Sequence, residues 1–164
     1  MNEAATLVHD NNHECPEGYH PFTLDGSFND ALAPLYMKIT DSGMSLALRL
    51  KKHHCNPMGI CHGAVYMSLM DIALCAAVCH SAGLYTGMPT ININLDYMAA
   101  SKEGDWLFTE AETLKLTNTI GFSQGKVLAA DGSVNVSASG HFKLPKDLAN
   151  AEGVSVEELL KMFA

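Results

Sequence analysis

Residues 62–83 read HGAVYMSLMDIALCAAVCHSAG, and this stretch decides the fold. Between Ala64 and Val78 the polar groups are Ser68, Asp71 and the phenol of Tyr66, so nearly every face of a helix here is apolar. The run predicts one helix from about His62-Gly63 to Ser81, stopped before Gly83 and buried all round. Its apolar part, Ala64 to Cys79, falls short of the roughly 20 residues a membrane span requires and carries Asp71. It reads as a core helix, with no membrane as partner.

Such a helix needs a cover, and the rest of the chain supplies strands. Met44, Leu46, Leu48 and Leu50 alternate with Ser45, Ala47, Arg49 and Lys51. Ile91, Ile93, Leu95 and Tyr97 alternate with Asn92, Asn94, Asp96 and Met98; Val134, Val136, Ala138 and Gly140 alternate with Asn135, Ser137, Ser139 and His141. Period two marks strands with one wet face. Trp106 to Leu116 and Phe122 to Ala130 alternate more weakly, and Asp131-Gly132 signals a hairpin before the last strand. Leu35 to Thr40, turning through Asp41-Ser42-Gly43, makes a sixth strand. The expected class is α+β, with a curved antiparallel sheet of five to six strands wrapped around one long central helix. A polar segment over 1–25 precedes this domain (26–146), and a tail over 147–164 follows it. Ser155 and Glu158 have capping-box spacing, which predicts a short amphipathic helix in the tail, Ser155 to Phe163.

The chain has 164 residues, enough for one ordinary domain with a real core and too few for two. A net charge of −8 argues against a nucleic-acid backbone or an anionic membrane surface as main partner. Met1 to Asn12 shows no basic region followed by an apolar one, so no secretory signal is read and a cytoplasmic protein is expected. Five cysteines are an odd number, and Cys75 and Cys79 lie one helical turn apart, so reduced, mostly buried thiols are expected. Charged residues make up 17% of the chain, below the usual roughly 25%, which makes a carboxylate inside the most apolar run conspicuous.

Asp71 is that carboxylate. Mid-helix and among apolar neighbours, an unpaired one is costly, so a partner or a chemical role is expected for it; a tie to Ser68 or to a neighbouring subunit would also serve. His62-Gly63 opens the same helix, where free amides and the positive end of the dipole suit a developing oxyanion. A glycine here would also allow a close approach of the chain before the helix, the lesser of the two readings. Asp71 lies eight positions beyond Gly63, about 12 Å of helical rise. One carbonyl carbon cannot meet both groups of a single helix directly. If both act on one substrate, Asp71 comes from a second chain, and a homodimer or a dimer of dimers (homotetramer) follows.

Asn56-Pro57-Met58-Gly59-Ile60-Cys61-His62-Gly63-Ala64, followed along the helix by Asp71, resembles a motif of the hotdog-fold acyl-CoA thioesterases of the phenylacetate-pathway type, in the 4-hydroxybenzoyl-CoA thioesterase-like superfamily. That motif runs Asn, two residues, Gly, two residues, His-Gly-Gly, and then a carboxylate. Gly26 to Tyr36, Thr90, Leu95-Asp96-Tyr97-Met98 and Gly140-His141-Phe142 also fall where the family has comparable features, so the resemblance spans roughly Gly26 to Leu144. The resemblance implies the hotdog fold and hydrolysis of acyl-CoA, with CoA as part of the substrate and no separate cofactor. It implies Asp71 as general base or nucleophile and the Gly63 amide as oxyanion donor. Asn56 would orient substrate or water, Thr90 would assist the carboxylate, and His62 would orient the helix start. Sites of this family are built across a dimer interface, in agreement with the helix arithmetic. Two departures stand out: Ala64 replaces the second Gly, and 117–122 lacks the Gly-Arg pair through which a nucleotide phosphate would be held. Lys51, Lys52, Lys102 and Lys126 are other possible cations.

His53, His54, Cys55, Cys61, His62, Cys75, Cys79 and His80 suggest metal by type, but none has paired CxxC or HExxH spacing, so no metal is expected. Two further functions suit the same fold, a non-catalytic acyl-CoA-binding protein and an enoyl-thioester hydratase or dehydratase. The Asn to His-Gly spacing fits the hydrolase better. Met58, Met67, Met70 and Met98 could line a flexible apolar pocket, but methionines at such spacing are more often core filling, and the acyl group stays open.

Overall fold

The computed structural model describes residues 15–22 and 26–162. The expected polar segment up to residue 14, and Phe163 of the expected tail helix, lie outside the described residues. The strands are β1 (His20–Phe22), β2 (Leu35–Thr40), β3 (Gly43–Arg49), β4 (Leu84–Tyr85), β5 (Thr90–Tyr97), β6 (Trp106–Leu116), β7 (Ile120–Ala129), β8 (Val134–Lys143) and β9 (Val154–Ser155). The α-helices are α1 (Gly63–Ala82) and α2 (Val156–Met162).

Seven strands form one antiparallel sheet in the order β1-β2-β3-β6-β7-β8-β5. The seventh, beyond the expected five to six, is β1, three residues that pair His20 with Met37 and Phe22 with Leu35. So short a strand, with Pro21 in its middle, carries no alternation to read. β5 is the far edge of the sheet, bonded to β8 on one side.

Alternation puts one face of β3, β6, β7 and β8 on α1. Leu46 and Leu48 of β3, Leu107 of β6, Val127 of β7, and Val136 and Phe142 of β8 are buried against Leu69, Met70, Leu74 and Val78. The helix packs closely on β3, where a Cβ at Gly43 would lie 2.9 Å from the Ala77 Cα, and on β7, where side-chain volume is missing. A Cβ at Gly121 would overlap the Val78 methyls, and one at Gly125 would lie 2.8 Å from the Met70 methyl. Burying a leucine- or methionine-sized side chain contributes about 2 kcal/mol, so this interface fixes the height of α1 on the sheet. Gly83, at φ +80, ends the helix in the left-handed conformation.

The helix is not buried all round. Ala64 and Met67 are exposed, while Ser68, Asp71, Ile72 and Cys75 are half-buried. They form one stripe at helical spacing, turned away from β3, β6 and β7. A single curved sheet covers only part of a helix's circumference, and apolar periodicity cannot tell a stripe facing the sheet from one left open. The tail is tied back: β9 pairs with β4, and Thr86 Oγ1 donates to the Glu152 carbonyl at 2.7 Å. The capping box forms, with the Ser155 N–H donating to Glu158 Oε2 (3.0 Å) and the Glu158 N–H to Ser155 Oγ (3.2 Å).

Candidate active site

The approach to α1 is a tight turn. The Asn56 N–H donates to the Ile60 carbonyl (2.8 Å), the Gly59 N–H to the Asn56 carbonyl (2.9 Å), and the Met58 N–H to Asn56 Oδ1 (2.9 Å). Asn56 thus makes an Asx turn with its side-chain oxygen. Gly59, at φ +75, takes the left-handed position that other residues avoid. Cys55 and Cys61 face each other across this turn, and Ile60 pairs with Lys102. The loop is seated from both sides, since Cys61 N–H donates to the Ser101 carbonyl (2.8 Å) and His62 N–H to the His54 carbonyl (2.9 Å).

His62 is the N-cap of α1, and its Nδ1 accepts the Ala64 N–H at 3.0 Å. That bond leaves the ring proton on Nε2. With Ala64 capped, the Gly63 N–H is the first amide of the helix and has no hydrogen-bond partner among the described residues. Gly63 takes an ordinary negative φ, and a Cβ there would meet the Tyr97 ring at 3.5 Å, ordinary van der Waals contact. Neither backbone conformation nor packing within the chain requires glycine at this position.

Asp71 lies on the open stripe, half-buried rather than enclosed. Its partner is Thr90, not Ser68: Thr90 Oγ1 donates to Asp71 Oδ1 at 2.6 Å, while the Ser68 hydroxyl donates to the Ala64 carbonyl at 2.8 Å. Thr90 opens the edge strand β5, and Tyr97 closes it. The Tyr97 hydroxyl donates to the Gly63 carbonyl at 3.1 Å, a contact the alternation of Ile91, Ile93, Leu95 and Tyr97 does not reveal. The five expected residues therefore fall in two groups. Asn56, His62 and Gly63 gather at the helix start, and Asp71 and Thr90 pair eight positions further on, about 12 Å along the axis.

The other His and Cys residues behave as structure. His54 is 1% exposed and its Nδ1 accepts the Lys51 N–H at 3.0 Å; burial, then the nearby His53 charge, lower its pKa to about 4. Burial pushes the Cys61 thiol up to about 12. Near Asp71, a hydrogen bond with Cys79 together with burial holds the Cys75 thiol well above the usual range. Neither is a ready nucleophile.

An antiparallel sheet wrapped on one central helix is the hotdog architecture. The Thioesterase superfamily model matches residues 58–135. A protein of Pseudomonas aeruginosa described as a "Putative esterase" is 30% identical over 131 residues, covering 79% of this chain and 97% of that one. The chain belongs to the thioesterase superfamily. Among solved structures, zebra fish thioesterase superfamily member 2 is 20% identical, with a TM-score of 0.67 over 73% of this chain and 88% of that chain. A hypothetical thioesterase from Streptococcus pneumoniae, solved with coenzyme A, gives a TM-score of 0.64 at 20% identity, over 71% of this chain and 89% of that one. The PaaI protein of the E. coli phenylacetic acid degradation operon gives 0.63 at 18% identity, over 71% and 83%. These similarities establish the fold.

Proposed function

We propose that the protein hydrolyses acyl-CoA thioesters to a free acid and CoA, in sites shared between two copies of the chain. The observation that carries this reading is Gly63, whose N–H has no partner among the described residues and whose lack of a side chain serves nothing within the chain. A glycine of that kind suits close approach by a ligand. At a helix start, its N–H stabilises the oxyanion that forms when the thioester carbon becomes tetrahedral.

Asp71 is the general base. Thr90 holds Oδ1, leaving Oδ2 to take a proton from water. The water oxygen bonds to the acyl carbon, the C–S bond breaks, and the proton on Asp71 passes to the departing CoA sulfur. Asn56 spends its Oδ1 on the turn, so its Nδ2 is the group that orients water or substrate. His62 spends Nδ1 on the helix cap, which favours hydrolysis over a hydratase using this ring as base.

The roughly 12 Å between Gly63 and Asp71 supports a site completed by a second chain. So does the free edge of β5, where Ile91 and Tyr97 are each 52% exposed, beside Met67 of α1 at 42%. Lys102, opposite Ile60, and Lys51 and Lys52 before His54 would be the cations that meet the CoA phosphates, beside the carboxylates of Glu103 and Asp105. Lys126 instead pairs with Glu110 at 3.2 Å. The esterase description of the Pseudomonas relative and the coenzyme A in the Streptococcus structure fit the same substrate class. The five cysteines, all free, suit a reducing compartment such as the cytoplasm.

A panel of acyl-CoAs with colorimetric thiol detection tests reaction and substrate together. Asp71→Asn should abolish thiol release with the circular dichroism spectrum unchanged. Hydrolysis at the wild-type rate in that variant would overturn the reading, and tight acyl-CoA binding without thiol release by the wild type would favour a binding protein instead.

A further inference from the structure

The first peptide of α1, joining Gly63 to Ala64, is held at both of its polar ends. Its carbonyl accepts the Tyr97 hydroxyl at 3.1 Å, and its N–H donates to His62 Nδ1 at 3.0 Å. One residue upstream, the His62 N–H is fixed on the His54 carbonyl at 2.9 Å. Between these anchors sits a glycine, which sets neither of its own dihedrals by side-chain sterics. The direction of its N–H therefore depends on its neighbours. Tyr97 contributes twice: by the hydroxyl, and by a ring lying at 3.5 Å from where a Gly63 Cβ would be. Tyr66 supports that ring edge-on, with centroids 6.1 Å apart at 72°.

We propose that Tyr97 is a positioning residue that aims the Gly63 N–H at the thioester oxygen. This rests on the reading of Gly63 as oxyanion donor. Strand β5 then supports both halves of the chemistry, with Thr90 holding Asp71 at one end and Tyr97 holding Gly63 at the other. A donor aimed before the reaction stabilises the transition state more than the ground state, so its misdirection lowers kcat and leaves KM nearly alone.

Tyr97→Phe keeps the ring and removes only the hydroxyl, from a side chain already 52% exposed, so folding is retained. The expected result is a kcat lower by about tenfold, a fraction of what a whole oxyanion donor supplies. KM should stay within about twofold, and the Gly63 amide resonance should move in a nitrogen-proton correlation spectrum. An unchanged kcat overturns the proposal, as does a loss confined to KM or matched by a lowered melting temperature, which marks a structural role only. Asp71→Asn run alongside separates the two levels. Hydrolysis surviving in Asp71→Asn removes the underlying reading, whereas an inactive Asp71→Asn beside a fully active Tyr97→Phe removes only the role of Tyr97.

Discussion

Replacing Gly63 by proline deletes a single hydrogen-bond donor at a place where the fold tolerates proline. Gly63 is the first helical residue, where a missing N–H costs no intrahelical bond and proline is favoured. The preceding residue, His62, already has φ −68 and ψ 135, the extended conformation a following proline demands. The Tyr97 ring is 3.5 Å from the added Cβ position. Restricting the unfolded chain adds stability of about 0.4–1 kcal/mol, so the melting temperature should hold or rise. Activity should behave oppositely, since loss of one oxyanion donor costs about 10²–10³ in kcat, or roughly 2.7–4 kcal/mol. Steady-state thiol release on the best acyl-CoA reads kcat and KM, and Gly63→Ala, which keeps the N–H and adds only the Cβ, controls for bulk. The alanine variant narrows the approach but keeps the donor, so its loss should be smaller than that of the proline variant. Wild-type kcat in folded Gly63→Pro would refute the oxyanion role, and an equal collapse of Gly63→Ala would show that the space above the helix start matters rather than the amide.

Thr90→Val is isosteric and removes the 2.6 Å bond to Asp71. A bond to a charged group is worth about 1.5–3 kcal/mol, so kcat should fall by roughly tenfold or more, with Thr90→Ser largely restoring it; full activity in the valine variant would detach Thr90 from the carboxylate's function. His54 sets a pH dependence of stability. Its folded pKa, about 4, lies below the ordinary 6.5, so on acidification the unfolded chain takes the proton first and stability falls. Between about pH 7 and pH 5 the loss should be about 2 kcal/mol by urea unfolding. His54→Asn, whose Oδ1 can accept the Lys51 N–H, should remove that share of the pH dependence, and an unchanged pH profile would count against a neutral buried imidazole.

How much the residues reveal unaided depends on which force sets each feature. β3, β5 and β8 follow from the alternation of apolar and polar residues, although in β3 the expected wet face is buried too, with Ser45 Oγ donating to the Thr109 carbonyl at 2.6 Å rather than facing water. β1, β4 and β9, of three, two and two residues, are held by pairing with neighbours distant in sequence, which no local pattern carries. The open stripe of α1 is hidden for a different reason. Met67 and Ile72 are as apolar as Leu69 and Leu74, and composition cannot say whether sheet or another surface will cover them. At the site, Asp71 announces itself as a charge in an apolar run, but its partner Thr90 is 19 positions away and was legible only through family resemblance. His62 is an unusual N-cap, a place where Ser, Thr, Asp and Asn prevail, so composition gives it no capping signal. Tyr97 sits in register with Ile93 and Leu95 and reads as one more core-facing residue until its hydroxyl is seen on the Gly63 carbonyl.

The central claim, a site made from the Gly63 of one chain and the Asp71 of another, is tested most directly by subunit mixing. Gly63→Pro and Asp71→Asn should each be nearly inactive alone, and co-refolded in equal amounts they should form mixed dimers in which one of the two sites has both groups intact. Random association predicts recovery of about a quarter of wild-type activity per chain. Mixed dimers isolated by orthogonal tags that show no recovery would contradict the shared site, placing both groups, if both act, within a single chain.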